Sequence, residues 1–317
     1  MTPRPTRPGT AAPDSVRISR RKVLGLGLAG VAAVGATGVF GIELVSHGVL
    51  PGKLELDELD GACSVASAPF AFSALGPSIS GSFRSRARNC EVGYTIGYPP
   101  GHERGDPLPL VVMLHGYGAN HSNALASLTP AEAVALRVDG KPLAPMALVT
   151  VDGGGGYWNP HPDDNPMAMV FDELIPMSQS IGLGRTPQRI GTMGISMGGY
   201  GALLFAEKYP DVIAAVAAIS PAVWSTYAEA HGANAGAFAS AADFAANDVI
   251  THAAALARTP VRVASGNDDP FHPGVELLVA RLPHAAQVDL SPGCHTGPFF
   301  NAQEPPSLAF LAQHLAL

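Results

Sequence analysis

Apolar residues occur along this chain in short continuous runs, and the segments between the runs have helical composition. The run from Leu108 to Leu114 is typical of a strand in a parallel sheet that is covered on both faces. Further central strands are predicted at 147–151, 189–194, 212–219, 261–265 and 287–290, and helices at 131–136, 166–181, 197–209, 274–282 and 306–317. The repeated order predicts an α/β fold, a mostly parallel sheet with helices on both faces and a site at the carboxyl ends of its strands.

Other patterns set the limits of the predicted domain. Residues 82–87 and 90–98 alternate well enough to predict two antiparallel edge strands. Residues 54–77 have no sustained period, so we assign 51–80 as a linker and 81–317 as the folded domain. The alanine-rich stretch 223–257 follows the sixth predicted strand and is too long for a plain loop, which predicts a helical cap inserted over the site. A helix pair that packs away from the site is the alternative.

Residues 1–50 have the pattern of a targeting segment. Ser19-Arg20-Arg21-Lys22 matches the twin-arginine export motif, and an uncharged run of 20 residues, 23–42, follows it. The run is long enough to span a membrane but rich in glycine, and no clear cleavage site follows, so a cleaved signal and an uncleaved anchor are both open. Either predicts a domain exported to the cell envelope, the periplasm or the medium, with membrane contact only through this segment.

Charge is distributed unevenly along the chain. The formal net charge is -7, but residues 1–22 carry six basic side chains against one acidic side chain, so the remainder has a net charge of -12. Phosphate binding depends on clustered Lys and Arg, and the acidic body therefore argues against nucleic acid as a partner. With 317 residues, 47% of them hydrophobic, the chain can bury a sizeable core.

The three cysteines do not form a disulfide scaffold or a metal cluster with short ligand spacing. In an oxidising compartment a bond between Cys63 and Cys90 could tie down the N-terminal segment and leave Cys294 free. Separate buried thiols are the alternative.

A candidate nucleophile lies in the pentapeptide Gly194-Ile195-Ser196-Met197-Gly198, which has the form Gly-x-Ser-x-Gly. An apolar run precedes it, and a helix-like segment that stops at Pro210 follows. A serine on a sharp turn between a strand and a helix needs glycine two positions before and after it, because side chains there would collide with the turn. The context therefore predicts that Ser196 is a nucleophile.

A serine hydroxyl needs a base, and the base needs a carboxylate that fixes its tautomer. In a sheet of this kind the expected order is serine, acid, histidine. Asp268 and Asp269 follow the strand 261–265, and His295 lies in a tight loop before the last helix. We assign His295 as the base and Asp269 as the acid, with Asp268 as the alternative acid.

Two backbone donors are required for the developing oxyanion. One is expected at Met197, directly after the nucleophile, and the other at Tyr117, in the loop after the first central strand. In that loop His115 is expected to hold the loop in place, and we also group it with Gly116 among the substrate-binding residues.

The glycine-rich loop 152–160 leaves another strand end. Four glycines followed by Tyr157 and Trp158 suggest close backbone approach to a ligand beside an aromatic stacking platform, and a flexible surface loop is the alternative. No helix start follows the glycines as a dinucleotide would require, and the acidic residues 163–164 lack the pattern of a calcium loop. Neither a cofactor nor a metal is expected.

With these residues in place, the chain resembles the esterase family of the α/β-hydrolase superfamily that contains S-formylglutathione hydrolase, feruloyl-esterase domains and mycobacterial mycolyltransferases. The motifs that carry the resemblance are Leu114-His115-Gly116-Tyr117, Gly194 to Gly199, Gly266 to Phe271, Gly293 to Thr296 and the turn Tyr209-Pro210-Asp211. The resemblance implies an α/β-hydrolase fold and an acyl-enzyme on Ser196, with His295 as base and then acid. Mycolyltransferases typically carry glutamate as the acid, so an aspartate favours an esterase.

Three functions follow as hypotheses. The first is an exported serine esterase that hydrolyses carboxylic esters, with a lipid or sugar ester as its substrate. The second is an acyltransferase that moves an acyl group to a cell-envelope sugar. The third is a non-catalytic envelope-binding protein that retains the hydrolase fold.

Overall fold

The computed structural model describes residues 63–66, 69–187, 189–283 and 286–316. The predicted targeting segment, 1–50, lies outside the described residues, as do the first residues of the predicted linker. The described residues all fall within one unit by their contacts. Within the described ranges, no helix combines the length and the apolar character that a membrane span requires.

An eight-stranded mixed sheet forms the centre of the domain. Its strands are β1 Ser78–Ser85, β2 Cys90–Gly97, β3 Leu110–Leu114, β6 Ala147–Val151, β7 Ile190–Ile195, β8 Ile213–Ile219, β9 Val261–Gly266 and β10 Gln287–Ser291. They lie in the order β1-β2-β6-β3-β7-β8-β9-β10, in which β2 pairs antiparallel with β1 and with β6 and the remaining neighbours pair in parallel. A separate small hairpin contains β4 Arg137–Val138 and β5 Lys141–Pro142. The predicted mostly parallel sheet is confirmed.

Burial explains why the central strands have uninterrupted apolar sequences. Every residue of β3, β6 and β7 is buried, because helices cover both faces of the sheet there. By contrast, β10 lies at the sheet edge and exposes most of its residues. The helices are α1 Pro130–Ala135, α2 Pro166–Ala168, α3 Ile175–Ser180, α4 Met197–Lys208, α5 Tyr227–Ala233, α6 Ala241–Ala246, α7 His272–Val279 and α8 Gly297–Leu315. A π-helical turn, Met169–Leu174, joins α2 to α3, and a 3-10 helix spans Ala253–Arg258.

Two predicted helices differ from the observed ones because of proline. The predicted helix 166–181 contains a π turn before Pro176, and this wider turn relieves the clash of the proline ring with the carbonyl four residues back. The last helix begins at Gly297 rather than at residue 306, and Pro305 and Pro306 lie inside it. Those prolines leave the carbonyls of residues 301 and 302 without intrahelical donors. Buried residues on both sides of the prolines, such as Phe299 and Leu308, hold the helix against the sheet.

The cysteine predictions are wrong. Cys63 is bonded to Cys294, 231 residues away, and Cys90 is a free, half-buried cysteine at the start of β2. The path of the N-terminal segment explains the difference. The amide of Ser73 donates to the carbonyl of Ala135, and the amide of Arg137 donates to the carbonyl of residue 71. This part of the predicted linker is therefore attached to the folded domain beside α1 and β4.

The inserted stretch 223–257 contains α5, α6 and part of the 3-10 helix. Its buried residues Phe238 and Phe244 pack against each other, and Phe238 also contacts Tyr157 and Tyr200. The hydroxyl of Tyr200, in α4, donates to the carbonyl of Asn247 over 2.9 Å. These contacts attach the insertion to the helix that follows the candidate nucleophile.

Candidate active site

Ser196 lies on a sharp turn between β7 and α4, with a φ of +57°. A Cβ atom added at Gly194 would overlap the backbone of Gly198, and one added at Gly198 would overlap the carbonyl of Leu114 on β3. Side chains at these two positions would therefore push the turn away from the sheet. Ser196 is held in this sparsely populated conformation by the hydrogen bond from its amide to the carbonyl of Ile219, 2.9 Å long.

The structure brings together the three side chains that the sequence order suggests. Nε2 of His295 lies 2.9 Å from Oγ of Ser196, and Nδ1 of His295 lies 2.8 Å from Oδ2 of Asp269. Because a carboxylate only accepts, Nδ1 carries the proton in the neutral ring, and Nε2 accepts from the serine hydroxyl. The three side chains therefore form a hydrogen-bonded series from hydroxyl to imidazole to carboxylate.

Asp269, rather than Asp268, contacts the histidine. The side chain of Asp269 is fully buried, and its second oxygen, Oδ1, accepts from the amide of Phe271 over 2.9 Å. Asp268 is half-buried, and its amide donates to the carbonyl of Gly293 over 3.0 Å. Asp268 thus helps to hold the acid loop against the histidine loop through its backbone.

Two phenylalanine rings flank the imidazole edgewise. The ring centroids of Phe271 and Phe300 lie 5.1 and 5.0 Å from that of His295. They leave the His295 side chain 21% exposed. The rings thus shield the imidazole while the face toward Ser196 stays accessible to a substrate.

The two predicted oxyanion donors lie on the segments that border Ser196. Met197 is the first residue of α4, so its amide has no acceptor within the helix. A Cβ atom on Gly116 would lie 3.6 Å from Cβ of Ser196, so the loop after β3 runs beside the nucleophile. Tyr117 follows on this loop with an exposed side chain and lines the same cavity as Ser196. The donor roles of Met197 and Tyr117 remain predictions from this placement.

His115 does not line the cavity and is buried beneath it. Its Nδ1 donates to the carbonyl of Gly116 over 2.7 Å, and its Nε2 accepts from the amide of Gly153 over 2.9 Å. Burial lowers the pKa of His115, so the ring stays neutral. It joins the loop after β3 to the glycine-rich loop after β6, as expected of a residue that holds the loop. Its grouping among the substrate-binding residues is corrected, because it is buried and does not line the cavity.

Trp158 is wholly buried and lies outside the cavity lining, so it is not a stacking platform for a substrate. Its indole packs against the backbone of Gly201 in α4 and that of Gly153, and Nε1 donates to the carbonyl of His115 over 3.2 Å. The neighbouring Tyr157 does line the cavity. Both residues adopt positive φ, of +56° and +61°. Burial raises the pKa of Tyr157 to about 12, so its hydroxyl stays neutral.

A cavity of about 750 Å³ opens beside Ser196. Loops from distant parts of the sequence line it, including the insertion, and no residue with a full charge is among the described lining residues. The lining residues that the sequence analysis did not assign to the site are Ala119, Asn123, Ala124, Leu125, Ala126, Ile195, Ala233, Asn234, Ala235, Phe271 and Phe300. Ile195 and Phe271 lie within motifs of the resemblance and 233–235 lie within the predicted cap, whereas no motif marks the others.

Glu304 is a fully buried carboxyl group behind one wall of this cavity. Its Oε1 accepts from the amide of Ala126, a lining residue, over 2.6 Å, and its Oε2 has no hydrogen-bond partner among the described residues. Burial raises the pKa of Glu304 to about 7, and the hydrogen bond from Ala126 opposes that shift. The wall is therefore attached to α8 through a group that changes charge near neutral pH.

We expect Glu304→Gln to flatten the dependence of stability on pH. A carboxyl that titrates near pH 7 when folded and near 4.5 when unfolded binds more protons in the native state between those values. The free energy of unfolding of the wild type therefore falls as pH rises through this window, by about 3 kcal/mol for this group. Urea unfolding at pH 5 and pH 8 measures the difference in the free energy of unfolding between the two pH values. This difference should be smaller in Glu304→Gln than in the wild type. It should equal that of the wild type in Glu103→Gln, a control at an exposed position. An equal pH dependence in wild type and Glu304→Gln would contradict the assignment.

Among the described residues, no group of three or more His, Cys, Asp and Glu side chains is arranged to hold a metal ion. The chemistry available at this site is that of a hydroxyl, an imidazole and a carboxylate in series beside backbone amides. Such a set can form and hydrolyse an acyl-enzyme.

Known proteins share this architecture. An S-formylglutathione hydrolase from Agrobacterium tumefaciens superposes with a TM-score of 0.60 at 19% identity, covering 78% of this chain and 99% of the other. A ferulic acid esterase superposes with a TM-score of 0.59 at 16% identity, covering 76% of this chain and 98% of the other. MPT51 of Mycobacterium tuberculosis superposes with a TM-score of 0.59 at 15% identity, covering 79% of this chain and 100% of the other. No match was found among curated proteins. The α/β-hydrolase fold and the predicted resemblance are confirmed.

The sequence itself matches a family model over residues 85–288, which is more than half of the chain. That range includes Ser196 and Asp269 and ends shortly before His295. The chain belongs to the esterase family described as "Putative esterase", and its activity is of the ester-hydrolase type.

Proposed function

We propose that this protein is an exported serine esterase that hydrolyses neutral carboxylic esters through an acyl-enzyme on Ser196. The observation that carries the proposal is the continuous hydrogen-bonded series from Ser196 through His295 to Asp269. Its geometry matches what nucleophilic catalysis by serine requires, with the base in reach of the hydroxyl and the carboxylate in reach of the base.

In the acylation step, His295 accepts the proton of Ser196 at Nε2 while Oγ attacks the ester carbonyl. Asp269 stabilises the imidazolium through the bond to Nδ1 and does not itself take the proton. The amides of Met197 and Tyr117 donate to the carbonyl oxygen as it becomes negative. The imidazolium then protonates the leaving alcohol. In the deacylation step His295 accepts a proton from water, which attacks the acyl-enzyme and releases the carboxylic acid.

The cavity indicates the class of ester. Its lining is made mainly of alanine, leucine and aromatic side chains, and the described lining carries no Asp, Glu, Lys or Arg. A charged substituent placed there would lose its hydration without gaining an ion pair, which costs several kcal/mol. The buried position of Trp158 also removes one predicted platform for a sugar ring. We therefore favour a lipid-like acyl group over a sugar in this cavity.

Two matched esters test the proposal. The wild type should react with a fluorophosphonate and release nitrophenol from p-nitrophenyl hexanoate. The p-nitrophenyl monoester of adipic acid has the same chain length but ends in a carboxylate. We expect kcat/KM for this ester to be lower by about tenfold or more, because the carboxylate is desolvated without a partner.

Other outcomes would favour the alternatives. Equal kcat/KM values for the two esters would contradict the neutral-substrate assignment. If trehalose in the assay becomes acylated as the major product, the protein is an acyltransferase rather than a hydrolase. If folded protein is not labelled and releases no nitrophenol, it is a binding protein with a hydrolase fold.

Export through the twin-arginine route is part of the proposal. The motif Ser19-Arg20-Arg21-Lys22 supports it, and so does the disulfide between Cys63 and Cys294, since such bonds persist mainly in oxidising compartments. Membrane contact is proposed only through the N-terminal segment. Cell fractionation checks the route: replacing Arg20 and Arg21 with lysine should retain the protein in the cytoplasm, and unchanged export would refute it.

A further inference from the structure

The loop that carries His295 has few internal constraints. It consists of residues 292–296, between β10 and α8, and Gly293 there adopts a φ of +148°. Thr296 is the N-cap residue of α8, but its side chain makes no capping hydrogen bond. The amide of Thr296 donates to the carbonyl of Cys294 over 2.8 Å. The direction of the imidazole therefore depends on contacts from outside the loop.

One side of this loop is held by the loop that carries Asp269. The amide of Asn267 donates to the carbonyl of Ser291 over 2.9 Å, and the amide of Asp268 donates to the carbonyl of Gly293 over 3.0 Å. These backbone bonds fix the separation between the acid and the base. They do not involve Cys294, the residue directly before His295, which has a separate attachment.

A second set of contacts comes from residues 63–66, which we call the N-terminal strap. Its disulfide joins Cys63 to Cys294, the residue directly before His295. Val65 of the strap packs beside Gly293, since a Cβ atom on Gly293 would lie 3.1 Å from Cγ2 of Val65. Cys294 is fully buried, whereas Cys63 is half-buried. A covalent bond to a distant segment thus lies one residue from the proposed base.

We propose that the Cys63–Cys294 disulfide and the strap position His295 for the reaction. This inference rests on the proposed function, because it assigns the disulfide a role toward the base of that reaction. Without the bond, Cys294 can shift relative to the strap and carry the imidazole out of line with Ser196. A misplacement of about 1 Å lowers the rate of a chemical step by about a hundredfold. Within this loop only His295 lines the cavity, and the other described lining residues lie on other segments, so the affinity for the substrate should change little.

Reduction by a phosphine such as TCEP tests the proposal. The phosphine supplies two electrons to the sulfur–sulfur bond, takes oxygen from water, and leaves two protonated thiols. A thiol reductant is avoided because it could accept the acyl group itself. The experiment uses the variant Cys90→Ser, which lacks the third thiol, so that reoxidation can restore only the original bond. Cys90→Ser itself is expected to keep the activity of the wild type, since Cys90 is on β2 and outside the cavity lining.

We expect complete reduction to lower kcat for p-nitrophenyl hexanoate by about tenfold to a hundredfold, with KM changed by less than about twofold. Fluorophosphonate labelling of Ser196 should slow by the same factor, and reoxidation should restore both rates. The proton on Nδ1 of His295 should give a downfield NMR resonance in the oxidised protein that weakens or broadens on reduction. A disulfide that only stabilises the fold would leave all three readouts unchanged in protein that remains folded.

Several outcomes would overturn the proposal. One is an unchanged kcat when two free thiols are titrated and circular dichroism shows a native fold. Another is a raised KM with kcat unchanged. If the reduced protein unfolds, the variant Val65→Ala is measured instead, because it keeps the disulfide and weakens only the contact of the strap with Gly293. This variant should lower kcat by about twofold to fivefold at constant KM. An unchanged kcat would refute the proposal. Failure of the oxidised wild type to be labelled would instead refute the proposed function.

Discussion

Ser196→Ala is expected to lower kcat for p-nitrophenyl hexanoate by about ten-thousandfold or more and to abolish fluorophosphonate labelling. The hydroxyl oxygen is the atom that would carry the acyl group, and no other group within the described residues lies at hydrogen-bond distance from Nε2 of His295. Without that oxygen an acyl-enzyme cannot form. Residual activity would come from the oxyanion donors and from binding alone.

The same variant should remain folded, because it keeps the backbone bond from residue 196 to Ile219 and removes only one oxygen. Thermal unfolding of the variant close to that of the wild type is therefore the control. Ser220→Ala is the matched comparison, since Ser220 is a nearby buried serine at the end of β8 whose hydroxyl has no described partner. Equal labelling of wild type and Ser196→Ala would contradict the assignment of the nucleophile.

Asp269→Asn should lower kcat by about a thousandfold to ten-thousandfold, with a small change in KM. The amide of Phe271 needs an acceptor at the position of Oδ1, so the oxygen of the new side chain will point there. Its NH2 group then faces Nδ1 of His295 and donates to it. This selects the tautomer with a proton on Nε2, which can no longer accept the proton of Ser196.

Asp268→Asn is the control for this variant. Asp268 bonds Gly293 through its backbone amide, which the substitution leaves in place, and the structure places Asp269 on the imidazole. We expect kcat of Asp268→Asn to stay within about threefold of the wild type. A larger loss in Asp268→Asn than in Asp269→Asn would show that the two acids have exchanged roles.

The order of elements could be predicted from sequence because burial controls composition. Strands covered on both faces, such as β3 and β6, contain uninterrupted apolar residues, and the glycines around Ser196 reflect a turn that has no space for side chains. The positions of Asp269 and His295 followed from element boundaries, because loops at the carboxyl ends of neighbouring parallel strands meet at one edge. Choosing between Asp268 and Asp269 required the direction of each side chain, which depends on the local turn.

What sequence could not give were contacts between distant segments. The pairing of Cys63 with Cys294 depends on where the N-terminal strap runs over the domain, and nearby Cys90 was the more obvious partner by spacing. Trp158 is predicted from sequence to be a ligand platform because it follows four glycines, yet its indole packs against Gly201 in α4, where a side chain would leave no space. Helix α8 begins before its two prolines because packing of Phe299 outweighs their local preference.

The inserted stretch borders the cavity through Ala233, Asn234 and Ala235, and none of these belongs to the proposed catalytic series. This part of the cavity wall and the proposed catalytic series thus lie on separate stretches of polypeptide. A different insertion would change this part of the cavity wall while the reactive groups, which lie on other loops, stay unaltered. The domain can in this way diversify its range of acyl donors at little risk to its reactivity.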